Sequence, residues 1–276
     1  MNVTSYSKSR RALLARAAGV AMAAPWVRSL DAAEAPYGPF KVGIQSYSLR
    51  GFDAARAMTE TAALGLKYWE SFPAHVALTN DPEKAKAPLA ALKAAGISLN
   101  AFGVVAFKAD AAANRNIFEC AKTLGVRNIS ADPDPASFSQ LDELVEEFKI
   151  NIGIHNHGPK HRYGSLQQCL DAIHGRHKRF GICVDTGHFL RSGEDPVKVI
   201  EAVGARVYGV HLKDVKDKTR FTILGEGDMN VVGVLKALKA LRYRELVALE
   251  YEENPQNPLE DLRKCLANLR EAVEKI

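Results

Sequence analysis

From Lys41 onward, apolar runs of five to eight residues alternate with segments whose apolar positions fall three and four apart. The runs cover 42–48, 66–72, 97–104, 126–131, 151–155, 180–185, 207–211 and 246–250. They are short and bounded by turn residues, and they read as strands buried on both faces. The segments between them, 54–64, 82–95, 111–124, 137–148, 166–173, 196–203, 231–241 and 259–273, carry the helical period. Asp81-Pro82 and Asp195-Pro196 each place a capping carboxylate before a proline at the first helical position. Gly65, Gly96 and Gly125 stand where a helix gives way to a strand and a left-handed cap is needed. Eight strands alternating with eight helices predict an α/β fold, a single (β/α)8 TIM barrel spanning 36–276. A doubly wound sheet is the competing arrangement, but no Gly-x-Gly-x-x-Gly follows the first strand.

In such a barrel the chemistry sits at the carboxyl ends of the strands. Here the apolar runs end in Glu70, in His155 with His157, in Asp185, in His211 with Lys213, and in Glu250 with Glu252. Each is an unfavourable residue to bury without a partner. Strand alternation puts both members of each pair on one face. If His155, Asp185, His211 and Glu250 point inward, two imidazoles and two carboxylates converge. That donor set suits one divalent metal, Mn, Zn or Co ahead of Fe and Mg. A lone histidine at a strand end is as readily a hydrogen-bonded structural group, and only the four together favour a ligand set.

The ordered motifs resemble the xylose-isomerase-like barrels, the sugar and sugar-phosphate isomerases and epimerases. The pieces are Asp185-Thr186-Gly187-His188, Val210-His211-Leu212-Lys213-Asp214, Leu224-Gly225-Glu226-Gly227-Asp228 and Leu249-Glu250, and the likeness runs over 41–276. The resemblance implies that Asp185, His211 and Glu250 hold a divalent metal and that His188 faces the substrate. Many members end the fifth strand with Glu-Asn-His, whose Glu is both ligand and proton carrier. This chain has His155-Asn156-His157, as a subgroup of the family does. The exchange makes the site one charge more positive and removes one of the two carboxylates that serve opposite faces in ketose 3-epimerases. The HNH nuclease motif, spread over a hairpin and a helix, is a different arrangement.

The expected activity is that of a metal-dependent isomerase or epimerase that removes a proton beside a carbonyl of an unphosphorylated sugar or keto-sugar. The same enolate chemistry serves a lyase or dehydratase on keto-sugars or 3-keto-glycosides, and the alternatives stay open. Glu70, His157, Lys213 and Glu250 are the candidate proton-transfer groups. Lys213 would act as a base only if its pKa were depressed; otherwise it is a cation neutralising Asp214. His188, Glu226, Tyr47 and Trp69 are candidate substrate contacts, with Phe72 and Phe107 as further aromatics at strand ends. Two other classes compete: a metal-dependent nuclease of the endonuclease IV kind, and a noncatalytic exported sugar-binding protein.

Charge and composition narrow this. The chain has 276 residues, 47% hydrophobic and 25% charged, as a globular protein does. Its net charge of +5 is concentrated at the start, where five cations meet two acids within 1–35, leaving only +2 on the body. So near-neutral a body argues against nucleic acid as partner. Ser9-Arg10-Arg11 followed by an Ala-rich apolar run resembles a twin-arginine export signal, so 1–35 is expected to be a leader and the protein periplasmic, with an ordinary cytoplasmic helix as the alternative. The run is too short for a stable membrane anchor. No Gly-rich phosphate cradle follows strands seven or eight; Lys216, Lys218 and Arg220 read as a solvated basic loop. Cys120, Cys169, Cys183 and Cys265 are too scattered for a zinc ribbon or disulfide framework. A small-molecule sugar is the expected partner, and a homo-oligomer is compatible with everything above.

Overall fold

The computed structural model describes residues 36–276. The leader and the twin-arginine pair lie outside the described residues. The first half of the chain runs β1 (Lys41–Gln45), α1 (Ala54–Ala63), β2 (Tyr68–Ser71), α2 (Pro82–Ala94), β3 (Ser98–Phe107), α3 (Ala111–Leu124), β4 (Asn128–Pro133) and α4 (Phe138–Phe148). The second half runs β5 (Asn151–His155), α5 (Leu166–Ile173), β6 (Phe180–Asp185), α6 (Thr186–Arg191), α7 (Pro196–Val203), β7 (Val207–Leu212), β8 (Asp214–Lys216), β9 (Arg220–Thr222), α8 (Val231–Ala240), β10 (Leu246–Leu249) and α9 (Leu259–Val273).

Eight of the strands close into a parallel barrel in the order β1-β10-β7-β6-β5-β4-β3-β2, the TIM barrel that the alternating runs predict. The expected caps are in place: Asp81 and Asp195 accept from Glu83 and Val197 backbone N–H groups ahead of prolines, and Gly65, Gly96 and Gly125 take positive φ. The apolar faces of the helices and the strands' outer residues form one continuous core, with Trp69, Phe102, Phe118 and Phe180 fully buried in it. No helix among the described residues is long and apolar enough to cross a membrane.

Two elements are absent from the strand-and-helix pattern. α6 starts directly on the residue that ends β6, because Asp185 Oδ1 accepts from the His188 backbone N–H and caps the helix as it leaves the strand. The basic segment after β7 is an antiparallel hairpin of β8 and β9, whose three-residue strands are too short to show a period. Asp214 holds it. Its two carboxylate oxygens accept from the backbone N–H groups of Val215, Gly225, Gly227 and Met229, tying the hairpin to the Leu224–Asp228 turn. Asp214 is therefore a backbone staple, and Lys213 does not pair with it.

Asp214→Ala would leave those buried donors without an acceptor, which costs on the order of 1–3 kcal/mol for a single unsatisfied group. The expected result in urea unfolding is a loss of about 2 kcal/mol or more; a midpoint equal to wild type would contradict the role given to Asp214.

Candidate metal centre

Four strands deliver the four expected side chains to one point. His155 ends β5, Asp185 ends β6, His211 lies near the end of β7 and Glu250 follows β10. One ligand atom from each lies within 4.8 Å of all the others, and all four residues are buried. His155 Nε2 stands 3.0 Å from His211 Nδ1 and 3.4 Å from Asp185 Oδ2, while His211 Nδ1 is 3.1 Å from Glu250 Oε2.

The motif residues between these four fix their positions. Asn156, the middle of His-Asn-His, donates to the Asp185 carbonyl and accepts from the Asp185 backbone N–H, so β5 and β6 end in register. Thr186 Oγ1 bridges the ends of β6 and β7: its one proton goes to the Lys213 carbonyl at 2.8 Å, with the His211 carbonyl at 3.1 Å as the alternative acceptor, and it accepts from the Lys213 backbone N–H. Gly187 leaves room for the Lys213 stem; a Cβ there would sit 2.7 Å from Lys213 Cγ.

The donor set fits a cation. Asp185 Oδ2 and Glu250 Oε2 are buried at the cluster and ion-paired with the Lys213 ammonium, 2.9 Å from each, without a well-aligned hydrogen bond. Two lone-pair oxygens and two imidazole nitrogens aimed at one point are what a divalent transition metal takes. Glu70 decides which nitrogen His211 offers. Its carboxylate sits 3.0 Å from His211 Nε2 and accepts the hydrogen bond from it, so Nδ1 is the nitrogen a metal would take. Burial opposes charge on the ring, but Cys183, Glu70 and Glu250 raise its pKa well above the ordinary value, and a metal would displace the Nδ1 proton. Ser130 Oγ donates to the other Glu70 oxygen. Burial pushes the Glu70 carboxyl up, but His211 and Ser130 outweigh it and hold it below the usual carboxylate range.

Above the cluster opens a cavity of about 390 Å³. His155, Glu250, Lys213, His157 and His188 reach it from the barrel ends, and Tyr47 and Phe72, in edge-to-face contact, form an apolar wall. Burial, aided by the neighbouring imidazoles, lowers His157 to about 3; burial also lowers His188, to about 4. Both rings are thus neutral at pH 7, and His157 Nδ1 has no partner. Lys213 is the opposite case. Burial disfavours its charge, yet Asp185, Glu250 and Glu252 surround it and raise its pKa above the ordinary lysine value. The same contact works on the carboxylates: Glu250, raised by burial, is brought down to about 2 by Lys213 and His211.

Four expected positions differ. Trp69 and Phe107 point away from the cavity and are packed outside the strands, Trp69 against His75 and Phe107 against Phe118. Alternation explains Trp69: its neighbour Glu70 takes the inward face, so Trp69 takes the other. Glu226 is solvent-exposed in the turn that Asp214 holds and does not line the cavity. Glu70 lies in the barrel on His211 Nε2, not beside the cavity where a substrate contact would be. Gln45, Arg191 and Phe221 line the cavity without having been singled out from sequence. Phe221 arrives on the unpredicted hairpin, and Arg191 on the unpredicted helix.

If this assignment is right, His211→Ala and Glu250→Gln release metal, and Glu70→Gln weakens metal affinity by about 10–100-fold, the usual effect of losing a carboxylate behind a ligating histidine. Metal content after dialysis measures both. Full occupancy in both ligand variants would dismiss the site, and unchanged affinity in Glu70→Gln would dismiss its orienting role.

A family model described as xylose isomerase-like TIM barrel matches residues 58–272. Inosose dehydratase from Geobacillus thermodenitrificans (strain NG80-2) is 30% identical over 158 residues, 48% of this chain and 51% of that protein. The chain spans about half the length, or less, of the curated relatives it matches. Among solved structures, a putative uncharacterized protein from Parabacteroides distasonis ATCC 8503 is 25% identical with a TM-score of 0.67, over 85% of this chain and 99% of that one. The IOLI protein with a binding zinc atom is 18% identical with a TM-score of 0.67, over 86% of this chain and 99% of that one. With its motifs, its closed barrel and this match in agreement, the chain belongs to the xylose isomerase-like TIM-barrel family.

Proposed function

We propose that the protein is a divalent-metal-dependent enzyme that removes the proton beside a carbonyl of an unphosphorylated sugar or keto-sugar, the chemistry shared by sugar isomerases, epimerases and dehydratases. The observation that carries the reading is the position of a neutral imidazole with an unpartnered nitrogen, His157, beside the four-residue cluster. His155, Asp185, His211 and Glu250 would hold the metal. When bound, such an ion supplies Lewis acidity that lowers the cost of enolising a hydroxy-carbonyl.

His157 is the base in this account: it is uncharged at pH 7 and its ring lines the cavity beside the cluster. Lys213 stays charged, and its role is to donate to the oxygen on which negative charge develops. Glu250 is a ligand and not a base, since Lys213 and His211 keep it ionised and engaged. Tyr47 and Phe72 offer an apolar wall for the less polar face of a sugar.

Returning the proton to the neighbouring carbon isomerises the sugar, and returning it to the other face epimerises it. β-Elimination is the second reading. The proton that His157 takes from the carbon can then be passed from the same imidazolium to the leaving group, on the wall it shares with His188, whose ring centroid is 5.2 Å away. The likeness to an inosose dehydratase supports that outcome too.

Free ketoses and keto-sugars incubated in D2O with Mn or Co are expected to incorporate deuterium beside the carbonyl. His157→Ala should slow exchange by about 100-fold or more while retaining metal. Exchange confined to phosphorylated sugars would overturn the substrate class, and no exchange on any sugar would favour a noncatalytic binding protein.

We also propose that Arg10-Arg11 directs export. Changing both to lysine should hold the precursor in the cytoplasm, with the wild-type mature chain starting between Ala24 and Pro36. An intact Met1 on the active protein would contradict this.

A further inference from the structure

The cavity over the cluster shares His157, His188 and Arg191 with a second, more open cavity of about 560 Å³. The rest of the second cavity is the Gly158-Pro159-Lys160-His161 turn that follows β5. Its wall is thus made of two cationic side chains and three imidazoles, and no carboxylate lines it. That is a different electrostatic surface from the cluster itself, where Lys213 is balanced by three acids.

Arg191 is the fixed point of this wall. Its Nη1 lies 3.1 Å from His188 Nδ1. A guanidinium only donates, so His188 Nδ1 accepts and its proton resides on Nε2. The guanidinium also stands 5.3 Å from the Phe221 ring centroid. Gly158 gives it room: a Cβ at that position would be 3.3 Å from Arg191 Cζ. Neighbours on three sides hold the group, and no carboxylate among the described residues pairs with it, whereas Arg162 close by is paired with Asp132 and Asp134. One edge of its donor fork is engaged by His188, and the remaining donors are left for a ligand.

We infer that Arg191 and the second cavity form a carboxylate subsite, so that the substrate is an acidic sugar: its ring oxygens face the four-residue cluster and its carboxylate reaches Arg191. The inference rests on the sugar-enolising reading above and narrows its substrate class. A planar carboxylate matches one free edge of a guanidinium. A phosphate dianion would call for more donors, and the helix start nearest the site cannot supply them, since the His188 N–H is taken by Asp185. Lys160, on the exposed outer wall, adds charge to the approach without a fixed contact.

The test uses the full zinc-loaded chain and calorimetric binding of D-glucuronate and D-galacturonate, their neutral parents glucose and galactose, and glucose 6-phosphate. At least one uronate should bind about tenfold or more tightly than its neutral parent, the scale of a charge-assisted contact. Arg191→Gln, which keeps an amide donor for His188, should collapse that ratio toward one, and Arg191→Lys should retain part of it. Reading a ratio within each variant separates lost charge recognition from lost folding. Equal affinities in the wild type, a ratio that survives Arg191→Gln, or tighter binding of glucose 6-phosphate than of either uronate would each overturn the inference. Binding of the sugars without charge preference defeats this inference alone; failure of every sugar to bind, with no deuterium exchange, defeats it together with the sugar-enolising reading.

Discussion

An imidazole has two nitrogens, and in His211 the carboxylate of Glu70 takes one of them. That single buried contact, 3.0 Å from Glu70 Oε2 to His211 Nε2, holds the Nε2 proton and leaves Nδ1 to face Asp185, Glu250 and His155. A metal at the cluster would therefore displace the Nδ1 proton and leave the Nε2 proton on Glu70. The Glu70 contact is in turn held by Ser130 from β4, so strands on both sides of the barrel contribute to the aim of one ring.

The second constraint is charge. Asp185, Glu250 and Glu252 converge where little water reaches, and Lys213 neutralises part of that charge from inside the same cavity. The two acids nearest the cluster remain ionised because Lys213 outweighs their burial, and so they keep the lone pairs that a cation needs. His157 and His188 on the other wall are neutral for the converse reason: burial disfavours their charge, and cationic or imidazole neighbours add to it. A cavity with charged donors on one side and neutral acceptors on the other is suited to moving a proton off a polarised carbon acid.

Much of this was legible in the chain. The barrel follows from eight apolar runs at a steady interval, and the four-residue cluster follows from asking which runs end in unfavourable polar residues. The roles of Trp69 and Glu70 were not legible, because a strand end shows that a residue is placed near the mouth but not which of two faces it takes without a register. Glu226 failed for another reason: a Gly-flanked carboxylate looks like a ligand contact, whereas the turn exists to receive the Asp214 staple. Arg191 and Phe221 were missed because they ride on a six-residue helix and a three-residue strand, both too short to repeat their period twice. The signal that could have found Arg191 is its place three residues beyond His188, where a helix starting at Asp185 puts both on one face.

The central claim is the ligand set, and its most direct measurement is an anomalous-difference map from crystals loaded with zinc or cobalt. The account predicts one peak per chain, bonded to His155, Asp185 and Glu250 and to His211 through Nδ1, with Glu70 still on Nε2. A peak elsewhere, no peak at this cluster, or a metal bonded to His211 through Nε2 would contradict it.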